Sequence, residues 1–178
     1  VEQNQNLELS PIYKLPIQIA VFDSLGKHIH KVVIDELTEE FILPFSGHLK
    51  CVIVDDQQML LAKIREEKPT DQYVYQYYNG KTFKARRDGL IKSTKIGNLY
   101  PDQLIIDALN DDFWSIRSLA IEQASKLRDT SKLKAIEIIK QLAISDTNSF
   151  VRSSSVSFLS KVLNETVLEA MLIDRIDK

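Results

Sequence analysis

The sequence predicts a β-then-α chain, a small antiparallel β-sandwich followed by a superhelix of stacked helical hairpins. Two patterns carry that expectation. Up to Arg65, short apolar runs alternate residue by residue, which is the period of a strand with one buried face. Beyond Pro69, the pairs Asp111…Arg117 and Asp146…Arg152 repeat a six-residue spacing at a 35-residue period. A repeat in the thirties with two helical stretches per unit is the mark of an α-solenoid, because one hairpin cannot bury its apolar stripe alone. The expected domains are therefore 1–68, with strands from about 11 to 65, and 69–178.

In the first part, Leu15, Ile17, Ile19 and Val21 alternate with Pro16, Gln18 and Ala20 as a first strand. A link from Asp23 to Lys27 leads to a second, His28 to Asp35, reading as a hairpin. Phe41, Leu43 and Phe45 form a third, Leu49 to Val54 a fourth and Met59 to Ile64 a fifth. Five short strands are near the lower limit for an independent core. Glu66-Glu67-Lys68-Pro69 is the joint.

In the second part the two copies overlay in register. Leu104, Ala108 and Leu109 fall on Ile139, Ala143 and Ile144; Ile116, Ala120, Ile121 and Leu127 fall on Val151, Ser155, Val156 and Val162. Small residues at the matched positions let helix axes approach closely. A degenerate copy precedes them, with Tyr78, Arg86, Gly89 and Leu90 matching Leu109, Arg117, Ala120 and Ile121, and Gly80 in place of the turn acid. This register makes Tyr73–Tyr78 a helix despite its β-prone aromatics, with Thr82 to Ser93 the next. Thr166 and Glu169 read as a capping box opening a last helix through Met171, Leu172 and Ile176. The acid matching Asp146 then falls beyond Lys178, so the sequence reads as a segment of a longer protein, truncated within a repeat.

Asp111, Arg117, Asp146 and Arg152 are the candidate site residues, and their expected role is structural. Each aspartate caps amides of the turn before a second helix, and each arginine can reach an acid in the next turn. Such a ladder fixes the register between repeats; exposed pairs contribute only about 0 to 1 kcal/mol each.

The 178-residue chain has 44% hydrophobic and 27% charged residues and only five Gly and five Pro, an ordinary globular composition. A net charge of −2 gives no reason to expect nucleic acid or an anionic membrane as partner. The basic cluster Lys81, Lys84, Arg86, Arg87, Lys92 and Lys95 reads as a solvated helix face, or as an interface to an acidic domain outside this sequence, rather than a phosphate-binding patch. No apolar run is long enough for a membrane helix and no signal segment is evident. The single Cys51 lies in an apolar run, as a buried inert thiol suited to a reducing compartment, and a soluble cytoplasmic location is favoured. His28 and His30 share one face of a strand, with His48 a possible third, but three or four supported ligands are missing. The pair is expected on the outer face, solvated or hydrogen-bonded. Phe113-Trp114 is expected to pack on the preceding turn or a neighbouring domain. No H-E-x-x-H, G-x-S-x-G or Gly-rich phosphate loop occurs, so no catalytic, cofactor or metal residue is assigned.

Taken together, Ser10-Pro-Ile-Tyr-Lys-Leu-Pro-Ile-Gln-Ile19, Ala85-Arg-Arg-Asp-Gly-Leu90 and Asp111-Asp-Phe-Trp-Ser-Ile-Arg-Ser-Leu-Ala-Ile121 carry a resemblance. In order, and over nearly its whole length, the chain resembles the C-terminal portion of the aminopeptidase N family of zinc metallopeptidases. There a gluzincin catalytic domain is followed by a small β-sandwich and a helical domain of HEAT-like repeats. The resemblance implies a noncatalytic piece that acts as spacer and as wall of the peptide-binding cleft. Zinc and its ligands would belong to the parent's catalytic domain, since neither H-E-x-x-H nor G-x-M-E-N matches any position here. The implied partners are that domain, the N-terminal domain and, in the parent, the peptide substrate. The competing reading is a nonenzymatic protein-interaction scaffold of the same architecture.

Overall fold

The computed structural model describes residues 1–94 and 102–176. They form a small antiparallel sheet followed by seven α-helices, the β-then-α order expected from the sequence. Two compact units result, Val1–Gly89 and Leu90–Lys178. The first closes later than the Glu66–Pro69 joint, because the helix after that joint packs back onto the sheet.

In the first unit the strands are β1 (Leu15–Asp23), β2 (Gly26–Ile34) and β3 (Leu49–Val54), in the order β2-β1-β3 with both pairings antiparallel. The central strand is apolar on both sides. Ile17, Ile19 and Val21 pack with Ile34 under Phe41, Leu43 and Leu60, while Ala20 and Phe22 join Cys51 and Ile53 on the opposite face. Helix α1 (Thr70–Asn79) covers that second face, its Tyr75 ring set edge-on to Phe22 at 5.7 Å.

Two expected strands are absent among the described residues. Phe41–Phe45 and Met59–Ile64 run without ladder pairing, so the sheet has three strands rather than five. The alternation in Phe41–Phe45 is real, since Phe41 and Leu43 pack inward and Ile42 is 93% exposed. Alternation reports a buried face, however, and cannot supply a hydrogen-bonding neighbour. The link between β1 and β2 is also shorter than expected, only Ser24-Leu25. Asp23 tightens it by accepting the amides of Leu25 (2.8 Å) and Gly26 (3.1 Å).

Helix α1 forms from a β-prone run because Tyr73, Gln76 and Tyr77 recur at helical spacing and are buried. It crosses α2 (Phe83–Ser93) closely. A Cβ on Gly89 would lie 2.7 Å from the Tyr77 amide nitrogen and 2.8 Å from the Tyr73 carbonyl oxygen, so only glycine fits there. The degenerate repeat has glycine where its successors have Ala120 and Ser155 for this reason.

In the second unit, α3 (Asp102–Ala108) pairs with α4 (Trp114–Gln123), which ends in a 3-10 turn at Ala124–Lys126. The next pair is α5 (Asp129–Ser145) and α6 (Ser149–Val162). The pairs stack, α3 against α5 and α4 against α6. Leu104, Leu109, Ile116, Ile121, Ile139, Val151 and Leu159 are buried between them, and Ala108, Ala120, Ala135 and Ser155 sit where helices meet. Helix α7 (Glu165–Ile176) follows. It starts before the expected capping box: Asn164, not Thr166, is the cap, its Oδ1 accepting the Val167 amide at 2.9 Å.

Candidate functional site

Asp111, Arg117, Asp146 and Arg152 lie along the turns of the two helical pairs. Each aspartate closes its own turn, Asp111 Oδ1 accepting the Phe113 amide and Asp146 Oδ1 the Asn148 amide, both at 2.8 Å. Each arginine sits early in the following helix and points back. Arg117 Nη1 donates to the carbonyls of Asp111 (2.8 Å) and Asp112 (3.0 Å), and Arg152 Nη1 to those of Asp146 (2.7 Å) and Thr147 (3.2 Å). The equivalent groups do equivalent work because the sequence repeats the spacing.

The other edge of Arg117 crosses to the next pair. Its Nε and Nη2 donate to Asp146 Oδ2 and Oδ1, each at 2.7 Å, a bidentate fork. The Arg117 side chain is 12% exposed and that of Asp146 3%. The pair is thus enclosed, and the small contribution of exposed pairs does not apply to it. Burial pushes the Asp146 carboxyl up, but the Arg117 fork and the Asn148 amide outweigh that and hold it below the ordinary carboxylate range. The same fork raises Arg117 above the usual guanidinium value. Both groups are therefore fixed as ions. An acid held ionised by a bidentate arginine is a poor proton donor or acceptor near neutrality, and the geometry here is that of a stitch between two turns.

Around the stitch are contacts that spacing did not reveal. Trp114 stacks on Phe150 of the next pair at 5.5 Å, with 25° between the rings. Ser118 and Ser154 share a hydroxyl hydrogen bond of 2.8 Å between α4 and α6. Asn148 caps α6 by accepting the Phe150 amide at 2.9 Å. Only Asn148 had a readable signal, an N-cap residue before an apolar run.

The histidines lie elsewhere and correct one expectation. His28 and His30 alternate with exposed Ile29 and Lys31 and stand opposite Val21 and Ile19, on the inner face of the sheet and not the outer one. His28 Nε2 lies 3.2 Å from Asp23. Burial raises the Asp23 carboxyl, while the amides of Ser46 and Leu25 together with His28 lower it further, for a net depression. Among the described residues, no group of three or more His, Cys, Asp or Glu side chains is placed to hold a metal ion. Cys51 is buried, and burial pushes its thiol up to about 11.

A second polar knot joins the sheet to α1. Lys68, its side chain 7% exposed, donates to the Val52 carbonyl (2.6 Å) and to Gln76 Oε1 and pairs with Glu66 (3.1 Å). Its ammonium also lies over the Tyr73 ring, 5.1 Å from the centroid. Every ammonium hydrogen has a partner, so this buried lysine is structural.

Of the basic cluster, Lys84 and Arg87 both pair with Asp88, at 3.2 and 3.1 Å. Lys95 lies outside the described residues. No helix among the described residues is long and apolar enough to cross a membrane. No protein-family model, no curated protein and no solved structure matches this chain.

Proposed function

We propose that this chain is a noncatalytic module, a small β-domain carrying a HEAT-like helical array, that serves as spacer and cleft wall in a zinc-dependent aminopeptidase. The observation that carries the structural half is the Arg117–Asp146 fork. Bidentate, nearly enclosed and repeated in its carbonyl contacts by Arg152, it sets consecutive helical pairs in one register, as a rigid wall requires. The peptidase half rests on the resemblance of Ser10–Ile19 and Asp111–Ile121 to the aminopeptidase N pattern, together with the β-then-α order. Zinc, peptide substrate and the remaining domains belong to the parent in this reading.

The test has two parts. The reading frame upstream of Val1 is expected to encode H-E-x-x-H with a downstream glutamate. The parent chain is then expected to release N-terminal residues from peptides in a zinc-dependent manner, while the 178-residue chain with added zinc leaves an aminoacyl reporter intact. Cleavage by the short chain, or a parent without the motif, overturns the reading. A parent lacking the motif would leave the interaction scaffold. Phe150, 66% exposed while stacked on Trp114, favours that second reading as a contact for a protein partner.

A further inference from the structure

The two edges of the sheet are finished differently. At β3, the outward Val52 carbonyl is already taken by Lys68. At β2, no main-chain partner lies along the outer edge among the described residues. The two-residue turn fixes which groups are open there. Asp23 and Gly26 are the closing hydrogen-bonded pair, so His28, His30 and Val32 bond to β1, and the amides and carbonyls of Lys27, Ile29, Lys31 and Val33 point outward. The bond from the Asp56 amide to the Gln18 carbonyl, on the β3 side of β1, has the parity this requires.

Three features mark this edge as more than an unfinished border. It runs the whole nine-residue length of β2, where natural edges are commonly short or bulged. Its outer side chains alternate lysine with apolar residues, Ile29 being 43% and Val33 40% exposed. On the inner face, His30 Nε2 is buried without a hydrogen-bond partner, an unusual state for a ring nitrogen. A strand laid along β2 would bring its own inward side chains to about 5 Å from those of β2, within reach of His30.

We propose that the outer edge of β2 is a strand-addition surface for an extended segment with an acidic residue opposite Lys31, Lys27 being already paired with Asp56 at 2.6 Å, and a hydrogen-bonding side chain opposite His30. Lys31 chooses the occupant. A second copy paired over the full length of β2 would set Lys31 opposite Ile29 and offer it no counter-charge. An acidic strand is attracted by Lys31, while main-chain bonds supply sequence-independent affinity. This surface is independent of the aminopeptidase reading.

The experiment uses the whole 178-residue chain and a short blocked peptide alternating threonine with glutamate and valine, followed by amide NMR and hydrogen exchange. Slowed exchange is expected at Lys27, Ile29, Lys31 and Val33. A peptide with lysine for glutamate is expected to bind at least about tenfold more weakly, and Lys31→Glu to shift the preference toward it. Because Lys31 is exposed, that variant tests charge without endangering the fold. Absence of binding, perturbation away from β2, equal binding of both peptides, or self-association of the chain through this edge overturns the proposal.

Discussion

Asp146 carries more of the helical unit than its size suggests. Its carboxylate receives the Arg117 fork and the Asn148 amide, and its carbonyl receives Arg152. Its folded-state pKa is depressed, so the stabilisation is present above the unfolded value of about 3.9 and is lost as pH falls through that value toward the lower folded one. Urea unfolding between pH 7 and 3 should show this acid loss, and Asp146→Asn should be less stable at pH 7 with a flatter acid limb. Arg152→Ala removes carbonyl contacts that are partly open to water and should cost about 1 kcal/mol in the same assay, with Tm lowered accordingly. Cys51 offers a separate check. Its buried thiol, raised to about 11, should react with a thiol reagent only as fast as the first unit opens, and mild denaturant should speed labelling.

The elements show which signals were legible and which were not. Helices α3 to α6 were readable because Leu104, Ile116, Ile139 and Val151 repeat at a fixed period and each is buried. The turn residues Asp111, Arg117, Asp146 and Arg152 were readable for the same reason. Strands were harder. Phe41–Phe45 alternates as a strand does, yet pairing depends on a neighbour that local pattern cannot specify. The inner placement of His28 and His30 was missed because register across β1 decides it, and a one-residue slip exchanges the faces. The Trp114–Phe150 stack joins different repeats at unmatched positions, so no periodicity announced it. At the α1–α2 crossing, Gly89→Ala should destabilise by about 2 kcal/mol. The gain in helix propensity of about 1 kcal/mol is outweighed by the clash with Tyr77 and Tyr73 main chain. Asn148→Ala should cost about 1 kcal/mol through its lost cap; thermal melts would register both effects.

At the scale of the whole molecule, each of the two units is held by its own set of enclosed contacts. The first unit ties sheet to helix through Lys68, leaving the β2 edge open. The second unit layers helical pairs through an enclosed ion pair, an aromatic stack and a hydroxyl bridge. A cleft wall needs that stiffness, and so does a scaffold. Both readings therefore depend on energetic coupling between consecutive pairs. The most direct measurement is a double-mutant cycle on Arg117→Ala and Asp146→Ala, by urea unfolding at pH 7. Each single change is expected to cost about 3 kcal/mol, since one partner of an enclosed pair is left uncompensated. The double variant should cost clearly less than their sum, with a coupling energy of about 1 to 3 kcal/mol. Strict additivity would contradict the account, because the fork would then join the two helical pairs in geometry and not in energy.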